Sequence, residues 1–363
     1  MLRTLRNLIV NIMASFIRNK EARHQFRNKY KRKSKFRKLR DDNKRLFNEN
    51  QVLRNEIFTL KTKELKDIKQ KLLKMESLLF SVSNIYTGRP RVYLSIVSIV
   101  YNEGPYLKEW IEYHKLVGVE RFYLYDNGSD DDTLDVLQPY ISDGLVVYYK
   151  ANGYIREGLQ IAIYNDAICK YRYETFWLAL IDIDEFLVPV EEESMTEALK
   201  YYEKYPALGI NWVCFDSNGH KTKPKTHGGL VTANYTRVNK EYDIKVNRII
   251  KSIVNPARVM YVVNPHYVTC SVGSAVNENY ETINGMHTKH HSSSRIRINH
   301  YITKSNEEFM QRSQNQEQHA KRDRISAIKS WGGGFEQDFT ETTEDIAIQK
   351  YLPKLKQSIG IQD

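Results

Sequence analysis

The sequence predicts an α/β fold in which a doubly wound sheet follows a long helical arm. Apolar runs alternate with helical patterns from residue 92 to residue 187, which is the order of a parallel sheet with right-handed crossovers. One of these runs, FWLALIDIDEFL at 176–187, is typical of a buried strand and carries three carboxylates near its end. The arm is predicted by the basic residues and the seven-residue leucine spacing before residue 80.

Each element of the predicted sheet has its own signal. Strands are predicted at Val92–Val100, Arg121–Asp126 and 145–149, where β-branched and aromatic residues dominate. A turn ending in Pro105 begins the first helix, and a later helix is predicted over Gly158–Tyr171. The chain contains no Gly-x-Gly-x-x-Gly and no Walker A sequence, which excludes these two phosphate-binding motifs.

The composition fits one sizeable α/β domain with an appendage, since 41% of the 363 residues are hydrophobic. The net charge of +11 is unevenly distributed. Residues 1–80 carry 23 Lys/Arg and 8 Asp/Glu, which leaves 32 Lys/Arg and 36 Asp/Glu, or −4, for the rest of the chain. Nucleic-acid binding needs clustered basic residues, so we expect no nucleic-acid partner for the body.

Cysteine usage and hydropathy bear on the compartment. Cys169, Cys214 and Cys270 are an odd number without paired spacing, which argues against a disulfide framework or a cysteine zinc site and favours a reducing compartment. No apolar stretch approaches the roughly 18 residues of a membrane span, and no cleavable signal pattern precedes the arm. We therefore expect a cytoplasmic protein that does not cross the membrane.

Residues 1–38 are the predicted membrane-associating segment. KYKRKSKFRKLR at 29–40 follows a helix whose apolar residues recur at spacings of three and four: Leu2, Leu5, Ile9, Ile12 and Phe16. An amphipathic helix with a polybasic stretch binds anionic membranes, each basic residue contributing roughly 1 kcal/mol. We expect peripheral attachment to the inner face of the cell membrane. The alternatives are a helix packed on the body and RNA binding by the basic run.

Residues 39–80 are the predicted coiled coil. Leucines recur at every seventh position from residue 39 to residue 60, and Asn43 and Asn50 occupy the complementary core positions. Asparagine in that seam favours a parallel two-stranded coiled coil in one register, which predicts a homodimer. The alternative is a single long helix that packs against the globular domain.

Asp182 and Asp184 are the main candidate site. Alternate side chains of a strand point the same way, and open α/β sheets bind ligands beyond the carboxyl ends of their strands, so both acids should face one crevice. Two unpaired carboxylates there are costly, and a divalent cation compensates their charge. These residues therefore favour a cation and diphosphate site. The alternative is an acidic turn whose aspartates are solvated or cap the next helix.

Several sequence blocks in order resemble glycosyltransferases of the GT-A fold, and more narrowly glycosyltransferase family 92 and its bacterial surface-glycan relatives. They are SIVYNEGPYLKEWIEYHKLVGVERFYLYDNGSDD, the segment Gln160 to Asn165, WLALIDIDEFL, NWVCFDSNGH, LVTANYTR, IKSIVNP and INHYITKSNEEFMQR. They span roughly residues 94 to 315. The resemblance implies a nucleotide-sugar-binding GT-A domain over residues 90–330, followed by a C-terminal tail with a helix over 331–363.

The resemblance also implies roles for individual residues. A Mn²⁺ or Mg²⁺ ion would be held by Asp182 and Asp184, and His300 resembles the late histidine that completes the metal shell in many enzymes of this fold. The alternative for His300 is a buried histidine bonded to the backbone. The residues implied in binding the nucleotide diphosphate are Tyr101, Asn102, Glu103, Asp126, Arg156, Gln160 and Asp182. Capping or turn formation is the alternative role for these polar loop residues.

Family 92 implies inversion at the anomeric carbon, which requires a general base to deprotonate the acceptor hydroxyl. Asp216, Asp243 and Glu278 are the candidate carboxylates, and spacing favours none of them. The expected function is metal-dependent transfer of a hexose, for which galactose is a candidate, from a UDP-sugar to a surface glycan or glycolipid acceptor. The alternatives are a membrane-docked scaffold with an inactive GT-A body, a retaining glycosyltransferase, and a polybasic RNA-binding protein.

Overall fold

The computed structural model describes residues 90–151, 158–311 and 341–361, together with isolated positions between residues 45 and 71. The chain divides into two units, residues 1–75 and 76–363. The predicted membrane-associating segment 1–38 lies outside the described residues, as does most of the predicted coiled coil 39–80. Within the described parts, no helix combines the length and the apolar character that a membrane span needs.

In the first unit, every described position is helical. Four of its apolar residues, Val52, Leu53, Leu60 and Ile68, are more than half exposed. Leu53 and Leu60 are one heptad apart, so a partner helix would cover them if the predicted coiled coil forms. The coiled coil and the homodimer stay predictions.

The second unit contains the α/β body. Its described strands are β1 (Val92–Val100), β2 (Arg121–Asp126), β3 (Val146–Lys150), β4 (Thr175–Leu180), β5 (Glu185–Pro189), β6 (Ala207–Cys214), β7 (Arg237–Asn239), β8 (Ile250–Val254), β9 (Val259–Asn264), β10 (Tyr267–Cys270), β11 (Ile296–His300) and β12 (Thr342–Glu344). Its described helices are α1 (Gly104–Leu116), α2 (Thr133–Ser142), α3 (Leu159–Lys170), α4 (Met195–Leu199), α5 (Val231–Asn234) and α6 (Leu352–Ile359). Short 3₁₀ turns cover Lys200–Tyr202, Thr226–Gly229, Pro256–Arg258 and Ala347–Tyr351.

One mixed sheet runs through the body in the order β3-β2-β1-β4-β8-β6-β11-β5. β3, β2, β1 and β4 are mutually parallel, as the alternation of strands and helices predicts. β8 is antiparallel to β4 and to β6, β11 is parallel to β6, and β5 is antiparallel to β11. The sheet is therefore doubly wound only in its first half, and its second half is mixed.

Helices cover both faces of the parallel half. Leu94 and Ile96 of β1 belong to the core that includes Trp110 of α1, whereas Val97 belongs to the core that includes Ile168 of α3. Alternate residues of β1 thus enter opposite cores, which explains why nearly the whole strand is apolar. This arrangement leaves the carboxyl edge of the sheet, where β1, β2 and β4 end, for polar loops.

The run at 176–187 forms two strands and not one. β4 ends at Leu180, residues 181–184 form a turn, and β5 begins at Glu185. Such a short link cannot make the crossover that a parallel neighbour requires. The chain therefore departs from β4, and the next strand, β5, pairs antiparallel with β11. Asp182 and Asp184 therefore lie in a turn, and strand alternation does not set their directions.

Residues 341–361 pack on the body. β12 pairs antiparallel with β7, and the side chain of Lys108 in α1 donates to the carbonyl of Ile359, at the end of α6, over 2.9 Å. The carboxylate of Asp345 accepts from Arg297 of β11 at 2.5 Å, with both side chains buried. The described part of the C-terminal tail thus contributes a buried ion pair to the sheet.

Candidate functional site

The turn between β4 and β5 is closed by two hydrogen bonds. The backbone N–H of Glu185 donates to the carbonyl of Asp182 at 3.1 Å, and the backbone N–H of Asp182 donates to Glu185 Oε2 at 3.0 Å. Asp184 is 2% exposed, whereas the Asp182 side chain keeps 35% of its surface. Asp182 is thus the more exposed aspartate of this turn, and Asp184 lies deeper.

Three donors hold the carboxylate of Asp182. Oδ1 accepts from Gln160 Nε2 at 2.8 Å and from the Tyr164 hydroxyl at 3.3 Å, both on α3, and Oδ2 accepts from Lys251 Nζ at 2.8 Å. Burial is the largest single influence and favours the neutral acid, but the charge and the hydrogen bond of Lys251, with a smaller contribution from His266, together lower the pKa of Asp182. Asp182 is therefore an oriented, ionised carboxylate.

Lys251 also faces a second carboxylate. Its ammonium lies 3.6 Å from Glu185 Oε2, and both side chains are buried. Burial raises the pKa of Glu185 well above its usual range, Lys251 opposes this, and the charges of Asp182 and Asp184 add to it. One buried cation therefore lies between two carboxyl groups, those of Asp182 and Glu185.

Asp184 faces His300, with 3.5 Å between Oδ2 and Nε2. The pairing of β5 with β11 places His300 opposite Glu185, and the pairing of β11 with β6 places it opposite Cys214. Residues directly opposite on neighbouring strands share a face of the sheet, so these three side chains form one row. The ring of Trp212 lies against His300, with 4.3 Å between ring centroids.

The Asp184–His300 pair fits a divalent cation. Two ligands of one octahedral ion, each about 2.1 Å from it, stand roughly 3 Å apart, close to the observed separation. Two buried polar atoms of the row have no hydrogen-bond partner among the described residues, Glu185 Oε1 and His300 Nδ1. Across the described chain, however, no three His, Cys, Asp or Glu side chains converge to hold a metal by themselves. An ion here would need oxygen ligands from the substrate.

The loops after β1 and β2 are tied together at the same edge of the sheet. Asn102 Nδ2 donates to Asp130 Oδ1 at 2.7 Å, and the backbone N–H of Asp130 returns a bond to Asn102 Oδ1 at 2.9 Å. A Cβ on Gly104 would lie 1.9 Å from Asp132 Oδ1, so any larger residue here would displace the Asp132 side chain. Partial burial, and then the charges of Asp130 and Asp131, raise the pKa of Tyr101.

The structure brings part of the predicted nucleotide set together. Gln160 contacts Asp182 directly, and the loop with Tyr101, Asn102 and Glu103 follows β1, the parallel neighbour of β4. Asp126, which ends β2, accepts from the backbone N–H groups of Gly128 and Ser129 and from the Tyr148 hydroxyl. Oδ1 therefore serves its own loop, as the capping alternative expects, and Oδ2 is bonded to Tyr148 of β3. Arg156 lies outside the described residues.

The three candidate bases all have partners. Asp216 pairs with Arg237 at 2.8 Å, and Asp243 pairs with Arg248 at 2.7 Å. Hydrogen bonds from Arg248 and from the backbone of His291 lower the pKa of Asp243 to about 2. Glu278 accepts from the backbone N–H groups of residues 294, 295 and 296, at the start of β11. Asp216 alone lies two residues beyond the row, after Cys214.

Two site residues escaped the sequence prediction. Lys251 is a lone charge in the apolar strand β8, and a buried lysine in such a strand is a signal worth following. His266 packs on Trp212, and burial followed by the charge of Lys251 lowers its pKa to about 3, so this imidazole is neutral. Nothing in the local pattern around His266 distinguishes it from a turn residue.

The fold and this acidic edge define an α/β protein with a polar site beyond the carboxyl ends of parallel strands. The sequence profile of Glycosyltransferase family 92 matches residues 91–332, so the chain belongs to glycosyltransferase family 92. The predicted family resemblance is confirmed.

Curated relatives match over part of their length. A glycosyltransferase family 92 protein of Oryza sativa subsp. japonica is 30% identical over 145 residues, which are 39% of this chain and 24% of the rice protein. Galactan beta-1,4-galactosyltransferase GALS3 of Arabidopsis thaliana is 33% identical over 128 residues, which are 31% of this chain and 25% of that protein. The chain thus spans about a quarter of the length of these relatives.

Solved structures show partial likeness. S. aureus TarS 1–349 is 16% identical, with 46% of this chain and 47% of that chain covered and a TM-score of 0.29. A mannosyltransferase from Pyrobaculum calidifontis, in complex with GDP-Man and Mn²⁺, is 14% identical, with 39% and 45% covered and a TM-score of 0.27.

Proposed function

We propose that this chain is a metal-dependent glycosyltransferase that moves a hexose, with galactose as first candidate, from a UDP-sugar to a glycan or glycolipid acceptor. Family membership supports glycosyl transfer. The names of two relatives, galactan beta-1,4-galactosyltransferases GALS3 and GALS2 of Arabidopsis thaliana, support galactose. The observation that carries the metal dependence is the Asp184–His300 pair, 3.5 Å apart and beside Asp182.

We assign a separate role to each group of residues according to its position in the site. Asp184 and His300 are the ligands that would hold Mn²⁺ or Mg²⁺, and such an ion supplies Lewis-acid stabilisation of a leaving diphosphate. Gln160 and Lys251 hold the partly exposed carboxylate of Asp182. Because Lys251 already neutralises this carboxylate, we assign Asp182, the third predicted metal ligand, to the nucleotide and not to the ion. The tied loops after β1 and β2 form the adjoining wall for base and ribose.

Inversion is part of the proposal, and Asp216 is the first of the three candidate bases because it follows β6 directly. The backbone N–H of Phe215 donates to the carbonyl of His300 at 3.0 Å, which holds this segment beside the metal pair. Release of Asp216 from Arg237 on acceptor binding would leave a carboxylate able to accept the hydroxyl proton. NMR of the product anomer separates inversion from the retaining alternative.

A thermal-shift experiment tests the metal and nucleotide sites together. UDP with Mn²⁺ should raise the melting temperature by several degrees, and EDTA should remove most of this gain. GDP with Mn²⁺ is the control for selectivity toward the uracil nucleobase. A panel of UDP-hexoses, scored by metal-assisted hydrolysis, then ranks the donors. If UDP stabilises the chain equally in the presence of EDTA, metal dependence is wrong. If no nucleotide stabilises the chain, the result favours the alternative of an inactive scaffold.

Attachment of residues 1–38 to the cytoplasmic membrane face and dimerisation through residues 39–80 belong to the same proposal. Deletion of residues 1–38 should release the protein from vesicles that contain anionic lipid and leave transfer to a soluble acceptor intact. Deletion of residues 39–80 should give monomers by light scattering. Retention on vesicles, or an unchanged dimer mass, would refute the respective assignment.

A further inference from the structure

We propose that Lys251 is an internal counter-ion that weakens cation binding in the empty site, so that the divalent cation binds tightly only together with the nucleotide diphosphate. The inference rests on the proposed function, because it assigns a positioning role at the same site. Beyond that function, one buried lysine couples the binding of the cation to the binding of the nucleotide diphosphate and sets their order.

Lys251 is fully enclosed by the site. Its side chain is 1% exposed, and its ammonium lies 2.8 Å from Asp182 Oδ2 and 3.6 Å from Glu185 Oε2. Lysine is almost never fully buried unless it is paired, and these two acids supply the pairing. Lys251 therefore cannot move away when the metal enters without leaving an uncompensated buried charge.

The lysine reduces the negative charge that a cation meets. Asp182 and Asp184 interact electrostatically, and Lys251 neutralises Asp182 through a direct hydrogen bond. Asp184 remains as the anionic ligand, with His300 beside it as a nitrogen ligand. A single carboxylate and an imidazole are a weak set for Mn²⁺ or Mg²⁺, which favour several oxygen ligands.

A nucleotide diphosphate supplies what this pair lacks. Magnesium is commonly bound through one or two carboxylates together with substrate phosphates, which provide both oxygen ligands and negative charge. Among the described residues no third His, Cys, Asp or Glu side chain joins Asp184 and His300. The site is thus built to accept a metal–diphosphate complex, and the cation alone only weakly.

Calorimetric titration of the full chain with Mn²⁺, with and without saturating UDP, tests this coupling. Lys251→Met removes the ammonium and keeps most of the side-chain volume, whereas Lys251→Arg keeps the charge. Lys240→Met is the matched control, because the ammonium of Lys240 lies in a surface ion pair, 3.8 Å from Glu341, with 65% of its side chain exposed. Thermal melts show whether each variant is folded.

We expect UDP to tighten Mn²⁺ binding to the wild-type chain by at least about tenfold. Lys251→Met should bind Mn²⁺ alone about tenfold or more tightly than the wild type, and the effect of UDP should shrink by the same factor. Lys251→Arg and Lys240→Met should resemble the wild type. A role confined to folding would lower the melting temperature without changing this coupling.

Two results would overturn the inference. The first is a folded Lys251→Met variant that binds Mn²⁺ alone no more tightly than the wild type. The second, which needs no variant, is wild-type Mn²⁺ affinity that UDP leaves unchanged. Either result leaves the transferase proposal standing if UDP and Mn²⁺ both bind, whereas the absence of UDP and Mn²⁺ binding in every arm removes both proposals.

Discussion

His300 Nε2 lies 3.5 Å from Asp184 Oδ2, although the two residues come from the end of β11 and from the turn after β4. The antiparallel pairing of β5 with β11, which sets Glu185 opposite His300, brings them together. Any residue that fixes this pairing therefore also fixes the separation of the proposed metal ligands.

Asp184→Asn should reduce transfer by more than about 100-fold and leave the fold intact. The change removes the ligand charge with almost no change in volume, and metal stabilisation of a leaving group is worth several kcal/mol. Product formation from UDP-hexose measures the loss, and a thermal melt verifies folding. Asp143→Asn, at an exposed position after α2, is the isosteric control and should keep full activity. Normal turnover by Asp184→Asn would exclude it as a ligand.

His300→Gln should weaken Mn²⁺ binding in the presence of UDP by about tenfold or more, since it removes the imidazole ligand. Cys214→Ala is the control, because Cys214 sits opposite His300 in the same row and has no predicted ligand role. Calorimetric titration of both variants with Mn²⁺ in the presence of UDP measures the two affinities. Equal Mn²⁺ affinities in the two variants would assign His300 to packing against Trp212 and not to metal binding.

Asp345→Asn should lower the free energy of unfolding by about 3 kcal/mol, because it leaves Arg297 as a buried, uncompensated charge. Both side chains of this pair are 5% exposed. Urea denaturation measures the loss. Replacing both partners, as Arg297→Met with Asp345→Leu, should cost clearly less than the single change. A loss below about 1 kcal/mol for Asp345→Asn would mean that the C-terminal segment does not stabilise β11.

His114 should make the protein less stable as the pH falls below about 6.5. Burial lowers the pKa of this histidine to about 3, and the neutral ring bonds to the carbonyl of Trp110 and to the N–H of Leu187. Between these pH values the unfolded chain binds one proton that the folded chain excludes, so stability is lost by up to about 1.4 kcal/mol per pH unit.

The measurement is the pH dependence of the unfolding free energy from pH 5 to pH 6.5 for the wild type and for His114→Gln. The variant should be less stable throughout, because it disturbs two buried hydrogen bonds. The slope of its unfolding free energy against pH should correspond to the uptake of about one proton fewer on unfolding. Identical slopes would show that His114 is not the group that titrates.

Local patterns predicted the parallel half of the sheet well. β1 and β2 have the predicted bounds, and α3 covers Leu159–Lys170 within the predicted Gly158–Tyr171. These elements follow from apolar periodicity and turn residues, which act over a few positions. The run at 176–187 was the main error in this region, because two consecutive buried strands and one long strand have the same apolar composition.

Local patterns were enough to predict the α/β class, the family and the pair of aspartates after β4, because strand signals and ordered motifs are local properties of the chain. The contacts of Lys251 with Asp182 and of His300 with Asp184 could be seen only in the folded chain. The tertiary structure also placed all three candidate bases in ion pairs or backbone contacts. Those relationships depend on which distant strands become neighbours, and strand order is set by packing of the whole sheet, which no short stretch of sequence encodes.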